Sequence, residues 1–282
     1  LGEALSRRPD HAQGFSMLGF LHLSLGHIEL ARGADARGTF RKAIAALDRA
    51  IANRPEFAEA LVNRGGAHLG LGYAEDRQRA DPRASYRRAI ADFDRGLVLD
   101  PRREAVYGNR GGAWLALGCA EASRGVDGSE SWAKSIADYD EAISRDPGSS
   151  EAYDGRSQAH GAIGDARMAA GADPRENYRR AIADSEGALE RAPGSAALRG
   201  QLARAHYAEG RAESLASAGR LVSGGEAVTP EEAERLRERA FRHLRAAVEG
   251  GFDDAARIQG DAALDPLRDD PRFAELLARV PR

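Results

Sequence analysis

Residues 63–72 read NRGGAHLGLG, and clustered glycines beside an arginine are a pattern that can cradle a phosphate. A phosphate-binding loop follows a strand and opens a helix, and the P-loop type also carries a lysine. The sequence around this stretch has none of that context, and the stretch returns at 109–118 as NRGGAWLALG. The pattern therefore indicates glycines that let two helices pack closely, and we expect no nucleotide site.

One position of a repeating pattern holds four histidines, which are His22, His68, His160 and His206. Metal ligands must converge within one small sphere. Equivalent residues of successive helical repeats lie about the width of a helix pair apart, so these imidazoles cannot share an ion. We expect them to pack between helices and to bind no metal.

The remaining reactive side chains form no catalytic constellation. Asp92 and Asp94 are two residues apart, which places them on different faces of a helix. Cys119, the single cysteine, is expected to be an inert thiol, and its being alone excludes both an internal disulfide and a cysteine-based zinc site. We expect no enzymatic activity and no cofactor.

Composition narrows the class of partner. The 282-residue chain has a formal net charge of −3, which gives no general attraction to nucleic acid or to anionic membranes. It contains no run of 18 apolar residues of the kind that spans a bilayer. We expect a cytoplasmic protein whose partner is another protein or peptide, with no nucleic-acid or membrane contact.

The elements that position these residues repeat every 46 residues. Proline recurs in this register at Pro9, Pro55, Pro101, Pro147 and Pro193. An aromatic residue does the same at Phe40, Tyr86, Trp132 and Tyr178. Apolar spacing within each unit predicts a longer helix, a polar turn and a shorter helix. The turn glycines Gly33, Gly125 and Gly171 are predicted to be left-handed, with Arg79 in the same place in the second unit. Strand signals are absent, so the sequence predicts an all-α solenoid.

The units resemble the tetratricopeptide repeat, a helix pair of 34 residues with small, bulky and aromatic residues at fixed positions. Counting back from Pro101, Ala89, Phe93 and Gly96 match the second helix of that motif, and Gly65 and His68 match the first. The extra residues of each unit would lengthen the first helix and the turn. The resemblance implies a right-handed α-solenoid over residues 1–220, comprising a partial repeat opening at Leu1 and four 46-residue units.

Residues 221–282 break the period and are expected to cap the array. Thr229, Pro230 and Glu232 form a capping-box pattern, and Asp253–Asp254 and Asp270–Pro271 imply two further short helices. The stretch LDPLRDDPRFAELL resembles the tail that closes many bacterial tetratricopeptide arrays, including those attached to serine/threonine protein kinases.

Three units carry arginine where the family has leucine, a residue that Leu18 and Leu202 retain. A buried arginine needs a partner. Aspartates on the second helices share the 46-residue period, so the sequence predicts the pairs Arg64–Asp92, Arg110–Asp138 and Arg156–Asp184.

The resemblance also implies a concave groove, lined by first helices, that binds an extended peptide or a helix of a partner protein. Carried over position by position, its lining comprises Gln13, Phe20, Leu23, Asn63, Gly66, Leu69, Asn109, Gly112, Leu115, Asp154, Gln158, Arg204 and Tyr207. This lining is neutral and partly apolar and has no lysine, which speaks against clamping of a terminal carboxylate. We expect an interaction scaffold, a fragment of a bacterial signalling protein such as a kinase. The alternative is a structural or self-associating solenoid without a peptide ligand.

Overall fold

The computed structural model describes residues 11–221 and 228–280, and all regular structure within them is helical, as predicted. The first ten residues of the partial repeat expected to open at Leu1 lie outside the described residues. Of the expected cap, residues 222–227 and 281–282 also lie outside them.

The first of two compact units covers Leu1–Asp146, and its described residues, 11–146, form three helix pairs. Its helices are α1 (Ala12–Ala31), α2 (Arg37–Asn53), α3 (Ala58–Arg77), α4 (Arg83–Leu99), α5 (Glu104–Ala122) and α6 (Ser129–Arg145). Successive first helices begin 46 residues apart, at Ala12, Ala58 and Glu104. Each first helix packs against the second helix of its own pair, and α3 and α5 also pack against the second helix before them.

The second compact unit covers Pro147–Arg282. It contains α7 (Ser150–Ala169), α8 (Arg175–Arg191), α9 (Ala196–Ser217), α10 (Pro230–Glu249), α11 (Ala255–Gly260), a 3-10 helix (Ala262–Leu267) and α12 (Pro271–Ala278). Helix α10 packs against α9 in the way that a second helix packs against its first. A Cβ built on Gly210 of α9 would lie 2.8 Å from Leu244 Cγ of α10.

Glycine allows the first helices to approach their partners closely. A Cβ built on Gly65 would lie 2.8 Å from the ring of Phe93, and one on Gly118 would lie 2.6 Å from Trp132 Nε1. Both rings are buried. The stretch 63–72 lies wholly inside α3 and forms no loop, and Gly65, Gly70 and Gly72 serve helix packing, as the repeat predicted.

The turns between paired helices adopt the predicted left-handed conformation. The φ angles are 82° at Gly33, 72° at Gly125, 70° at Gly171 and 59° at Arg79. Among these four residues, only Arg79 carries a side chain that this conformation strains. Two second helices, α4 and α8, begin directly after an Asp-Pro pair, at Arg83 and Arg175. Asp81 Oδ1 accepts a hydrogen bond from the backbone N–H of Arg83 at 3.1 Å.

The three predicted arginine pairs are confirmed. Arg64 donates from Nε and from a terminal nitrogen to the two carboxylate oxygens of Asp92, at 2.8 and 2.6 Å. Its other terminal nitrogen donates to Asp48 on the preceding α2 at 2.7 Å. One arginine on α3 therefore joins α2 and α4, and we call this arrangement an arginine staple. Hydrogen bonding to Asp92 raises the pKa of Arg64.

The other two pairs repeat this geometry. Arg110 makes the same staple with Asp138 and, at 2.7 Å, with Asp94. In the second unit, Arg156 pairs with Asp184 through bonds of 3.0 and 2.6 Å.

The segment after the array forms its predicted helices. Thr229 Oγ1 accepts from the backbone N–H of Glu232 at 3.2 Å, and Asp254 and Asp270 cap α11 and α12 in the same way. The 3-10 helix was not predicted, because Pro266 inside it disfavours a regular helix.

Candidate partner-binding groove

A cavity of about 600 Å³ in the first unit lies across the N-terminal halves of α1, α3 and α5. We call it the groove. Its lining residues are Gln13, Ser16, Met17, Phe20, Phe57, Glu59, Val62, Asn63, Arg103, Ala105, Val106 and Asn109. All of them come from first helices except Phe57 and Arg103, which stand directly before α3 and α5. The repeat therefore places equivalent positions of three helices around one space.

The character of the lining changes from α1 to α5. Met17 and Phe20 on α1 are 55% and 48% exposed, although they are large and apolar. The equivalents of Met17 are Asn63 on α3 and Asn109 on α5. An amide side chain both donates and accepts hydrogen bonds. The groove therefore offers an apolar wall beside two uncharged hydrogen-bonding groups.

Four of the residues carried over from the family resemblance line the groove, namely Gln13, Phe20, Asn63 and Asn109. Four others lie further along the same helices and are half-buried, namely Gly66, Leu69, Gly112 and Leu115. Leu23 is a correction to the expected lining. It is 7% exposed and belongs to the core between α1, α2 and α3, where a contact with a partner is blocked.

Tyr207 in the second unit is a further correction. It is 3% exposed, its ring stacks on Phe252 at 4.3 Å between centroids, and its hydroxyl donates to Asp261 at 2.7 Å. Both partners belong to the segment after residue 220, which covers the position that the resemblance assigned to the groove. Tyr207 is therefore a core residue of the second unit.

The other expected residues of the second unit make contacts along their own helices. Asp154 accepts a hydrogen bond from Gln158 Nε2 at 2.9 Å. Arg204 Nε donates to Gln201 at 3.2 Å. Of the thirteen expected residues, four therefore line the cavity of the first unit.

Sequence reasoning missed the contributions of Val106 on α5 and of Phe57 and Arg103. The last two each precede a first helix and lie outside the helical positions of the motif. Phe57 is 8% exposed and contributes to the floor. Arg103 lies at the rim, where its Nε is 3.8 Å from an oxygen of Asp100. The prolines two residues upstream of each are the only sequence signal that marks these positions.

His68 and His160 are buried, as expected, each with 7% of its surface exposed, and burial lowers the pKa of His68. His206 and His243 place their Nδ1 atoms 3.1 Å apart between α9 and α10, and burial lowers the pKa of His243 to about 4. Among the described residues, no group of three His, Cys, Asp or Glu side chains is arranged to hold a metal. In the described ranges, no helix has the length and apolarity needed to cross a membrane.

Neither a protein-family model nor a curated protein sequence matches the chain. Among solved structures, it is similar to a tetratricopeptide repeat protein from Parabacteroides merdae, with 15% identity and a TM-score of 0.49 over 99% of this chain and 89% of the other. TTC0263, a thermophilic TPR protein of Thermus thermophilus, has 18% identity and a TM-score of 0.45 over 92% and 99%. YrrB, described as a TPR protein with an unusual peptide-binding site, has 15% identity and a TM-score of 0.45 over 89% and 92%. The fold assignment rests on the helix pairs themselves.

Proposed function

We propose that the chain is a non-catalytic interaction scaffold that holds a segment of another protein in the groove. The observation that carries this proposal is the convergence of three first helices on one cavity, with Met17 and Phe20 exposed beside Asn63 and Asn109. Exposed apolar side chains in a concave, helix-built site are typical of protein-binding surfaces.

The proposal is supported by a groove that is already formed before a partner arrives. Arg64 and Arg110 tie α3 and α5 to the second helices on both sides of them. A preformed site loses little conformational entropy on binding. Covering the exposed half of Met17 and of Phe20 would contribute about 1 kcal/mol each.

The test is capture of partner proteins by the immobilised chain, followed by mass spectrometry. Phe20→Glu places a charge in the groove, and Val98→Glu is the matched control, because Val98 is 83% exposed on α4 and does not line the groove. We expect Phe20→Glu to lose partners that the parent and Val98→Glu both retain, with the same circular dichroism for all three. Equal capture by all three would refute the groove.

A second candidate function is self-association, favoured by an apolar stripe on α1 outside the groove. Leu21, Leu25 and Ile28 are 51%, 45% and 48% exposed and follow one helix face. The equivalent of Leu25 on α3, Leu71, is buried in the core shared with α2. Light scattering decides between the candidates. An oligomer that Leu25→Glu converts to a monomer would support self-association, whereas a parent that stays monomeric at all concentrations would exclude it.

We also propose that the scaffold works in the cytoplasm as part of a bacterial signalling protein such as a kinase. This proposal is supported only by the resemblance of residues 264–277 to the tails of kinase-attached arrays. Sequencing the gene upstream of the codon for Leu1 tests it, and an upstream region that encodes no signalling domain would contradict it.

A further inference from the structure

The groove has almost no net electrostatic character, which restricts what can bind there. Its twelve lining residues include one acidic side chain, Glu59, and one basic side chain, Arg103. Arg103 is partly compensated by Asp100, 3.8 Å away. A segment with several like charges would therefore give up its hydration on entering without gaining an opposite charge.

Among the lining residues, the exposed large apolar side chains are Met17 and Phe20, which both belong to α1. Phe20 of α1 occupies the repeat position that is Gly66 on α3 and Gly112 on α5. A Cβ built on Gly66 would meet only Leu23, at 3.5 Å, and one on Gly112 would meet only the hydroxyl of Tyr139, at 3.4 Å. The two glycines therefore add no side chain of their own beside these neighbours, and a bulky partner side chain finds its apolar contact on the α1 side.

The uncharged groups of the groove suit a peptide backbone. Asn63 and Asn109 stand on neighbouring helices at the position held by Met17 on α1. Each carboxamide can satisfy one peptide N–H and one peptide C=O without a charge. The two halves of the groove thus offer different contacts. The α1 side offers an apolar wall to one side chain of the partner, and the α3 and α5 side offers amides to the partner's peptide backbone.

We propose that the occupant of the groove is an uncharged peptide segment of another protein, anchored by one bulky apolar side chain against Met17 and Phe20. This inference rests on the proposed function, because it names the chemistry of the partner for the same site. Recognition by shape and apolar contact distinguishes such a segment from an acidic or basic peptide.

The probe is a displayed library of random peptides, each about 12 residues long, selected on the immobilised chain. We expect the enriched peptides to share one aromatic or large aliphatic residue and to carry a net charge within about one unit of zero. Raising NaCl from about 0.05 to about 0.5 M should change their Kd by less than about twofold. Binding that depended on ion pairs would weaken over this range, because salt screens them.

Variants separate the anchor from other sources of affinity. Phe20→Ala should weaken the enriched peptides at least about tenfold, and Phe20→Leu should recover most of the loss, because it restores apolar bulk. Arg103→Gln and Glu59→Gln should each weaken binding less than Phe20→Ala does, because an uncharged peptide places no opposite charge against either side chain. Leu25→Glu, on the face of α1 outside the groove, should leave the Kd unchanged.

The outcomes distinguish the two levels of the proposal. Enriched acidic or basic peptides that depend on salt and on Arg103 or Glu59 would refute the uncharged occupant while supporting the groove. Peptides that bind Phe20→Ala as tightly as the parent but lose affinity with Leu25→Glu would refute the groove itself. Failure to enrich any peptide beyond the level seen with a Phe20→Glu selection would also count against the groove.

Discussion

Glu209 is the residue whose replacement tests this structure most directly. It lies on α9 at the repeat position of Leu71 and Leu117, both of which are buried, and it is 0% exposed itself. Neither carboxylate oxygen has a hydrogen-bond partner. Arg179 approaches one of them to 3.4 Å, but its side chain is 51% exposed, so water screens much of the attraction. A carboxylate therefore occupies a leucine position without adequate compensation.

The size of the effect follows from the shift in pKa. Burial, and secondarily the negative charge of Glu213, raises the pKa of Glu209 from 4.5 to about 8. Between these values the native protein binds a proton that the unfolded chain lacks, so the free energy of unfolding falls as the pH rises. One pKa unit corresponds to about 1.4 kcal/mol, which gives a loss of about 3 kcal/mol at pH 7 and about 5 kcal/mol above pH 8.

We expect Glu209→Leu to raise the free energy of unfolding at pH 7 by about 3 kcal/mol or more. The leucine fits because Leu71 and Leu117 fill the same position in the first unit. Arg179 can turn fully to water and to Glu176, which lies 3.7 Å from it. The replacement thus removes the desolvation cost and leaves no buried cation behind.

The assay is chemical denaturation followed by circular dichroism, at intervals from about pH 5 to about pH 9. Parent stability should fall across this range, and the curves for Glu209→Leu and the near-isosteric control Glu209→Gln should be flatter. A Glu209→Leu variant that is no more stable than the parent at pH 7 would refute the reasoning. Identical pH dependence in all three proteins would show that Glu209 does not titrate as described.

Three further changes test the packing within the first unit. Arg110→Ala should lower the free energy of unfolding by about 3–5 kcal/mol in denaturant titrations, because Asp138 stays buried without its cation. The double variant Arg110→Leu with Asp138→Leu should recover most of this loss, and no recovery would argue against an uncompensated charge. Gly65→Ala should cost about 1–3 kcal/mol in the same titrations, since its Cβ would lie 2.8 Å from the ring of Phe93, and an unchanged midpoint would contradict this. Arg79→Gly should raise the thermal midpoint by relieving a φ of 59°, a gain of up to about 1 kcal/mol, and a lower midpoint would be inconsistent with strain there.

The helix pairs and their turns could be predicted because they depend on short-range sequence. Because the period is 46 residues, the same local sequence pattern forms the same helix pair several times. The start of α3 at Ala58 therefore also predicts the start of α5 at Glu104. The left-handed turn at Arg79 followed from its place in the register of Gly33, although arginine itself gives no such signal.

The arginine staples show where sequence reasoning stopped. The pair Arg64–Asp92 could be predicted because both residues belong to one 46-residue repeat and share its period. The second contact, with Asp48, was missed because it reaches back to the preceding repeat. A guanidinium has five donors in a planar fork, and only the packed neighbour helix determines what the remaining donors meet.

For the groove residues too, the sequence determined one property and the tertiary structure another. The sequence by itself determined which residues share a helix face, since that depends only on the helical repeat of about 3.6 residues. Tertiary structure decided which of them remain open. Gln13 and Asn63 border a cavity, whereas Leu23 is buried in a core and Tyr207 is covered by Phe252. Exposure depends on every neighbour that packs against a side chain, and the neighbours that bury Tyr207 come from outside the repeat pattern.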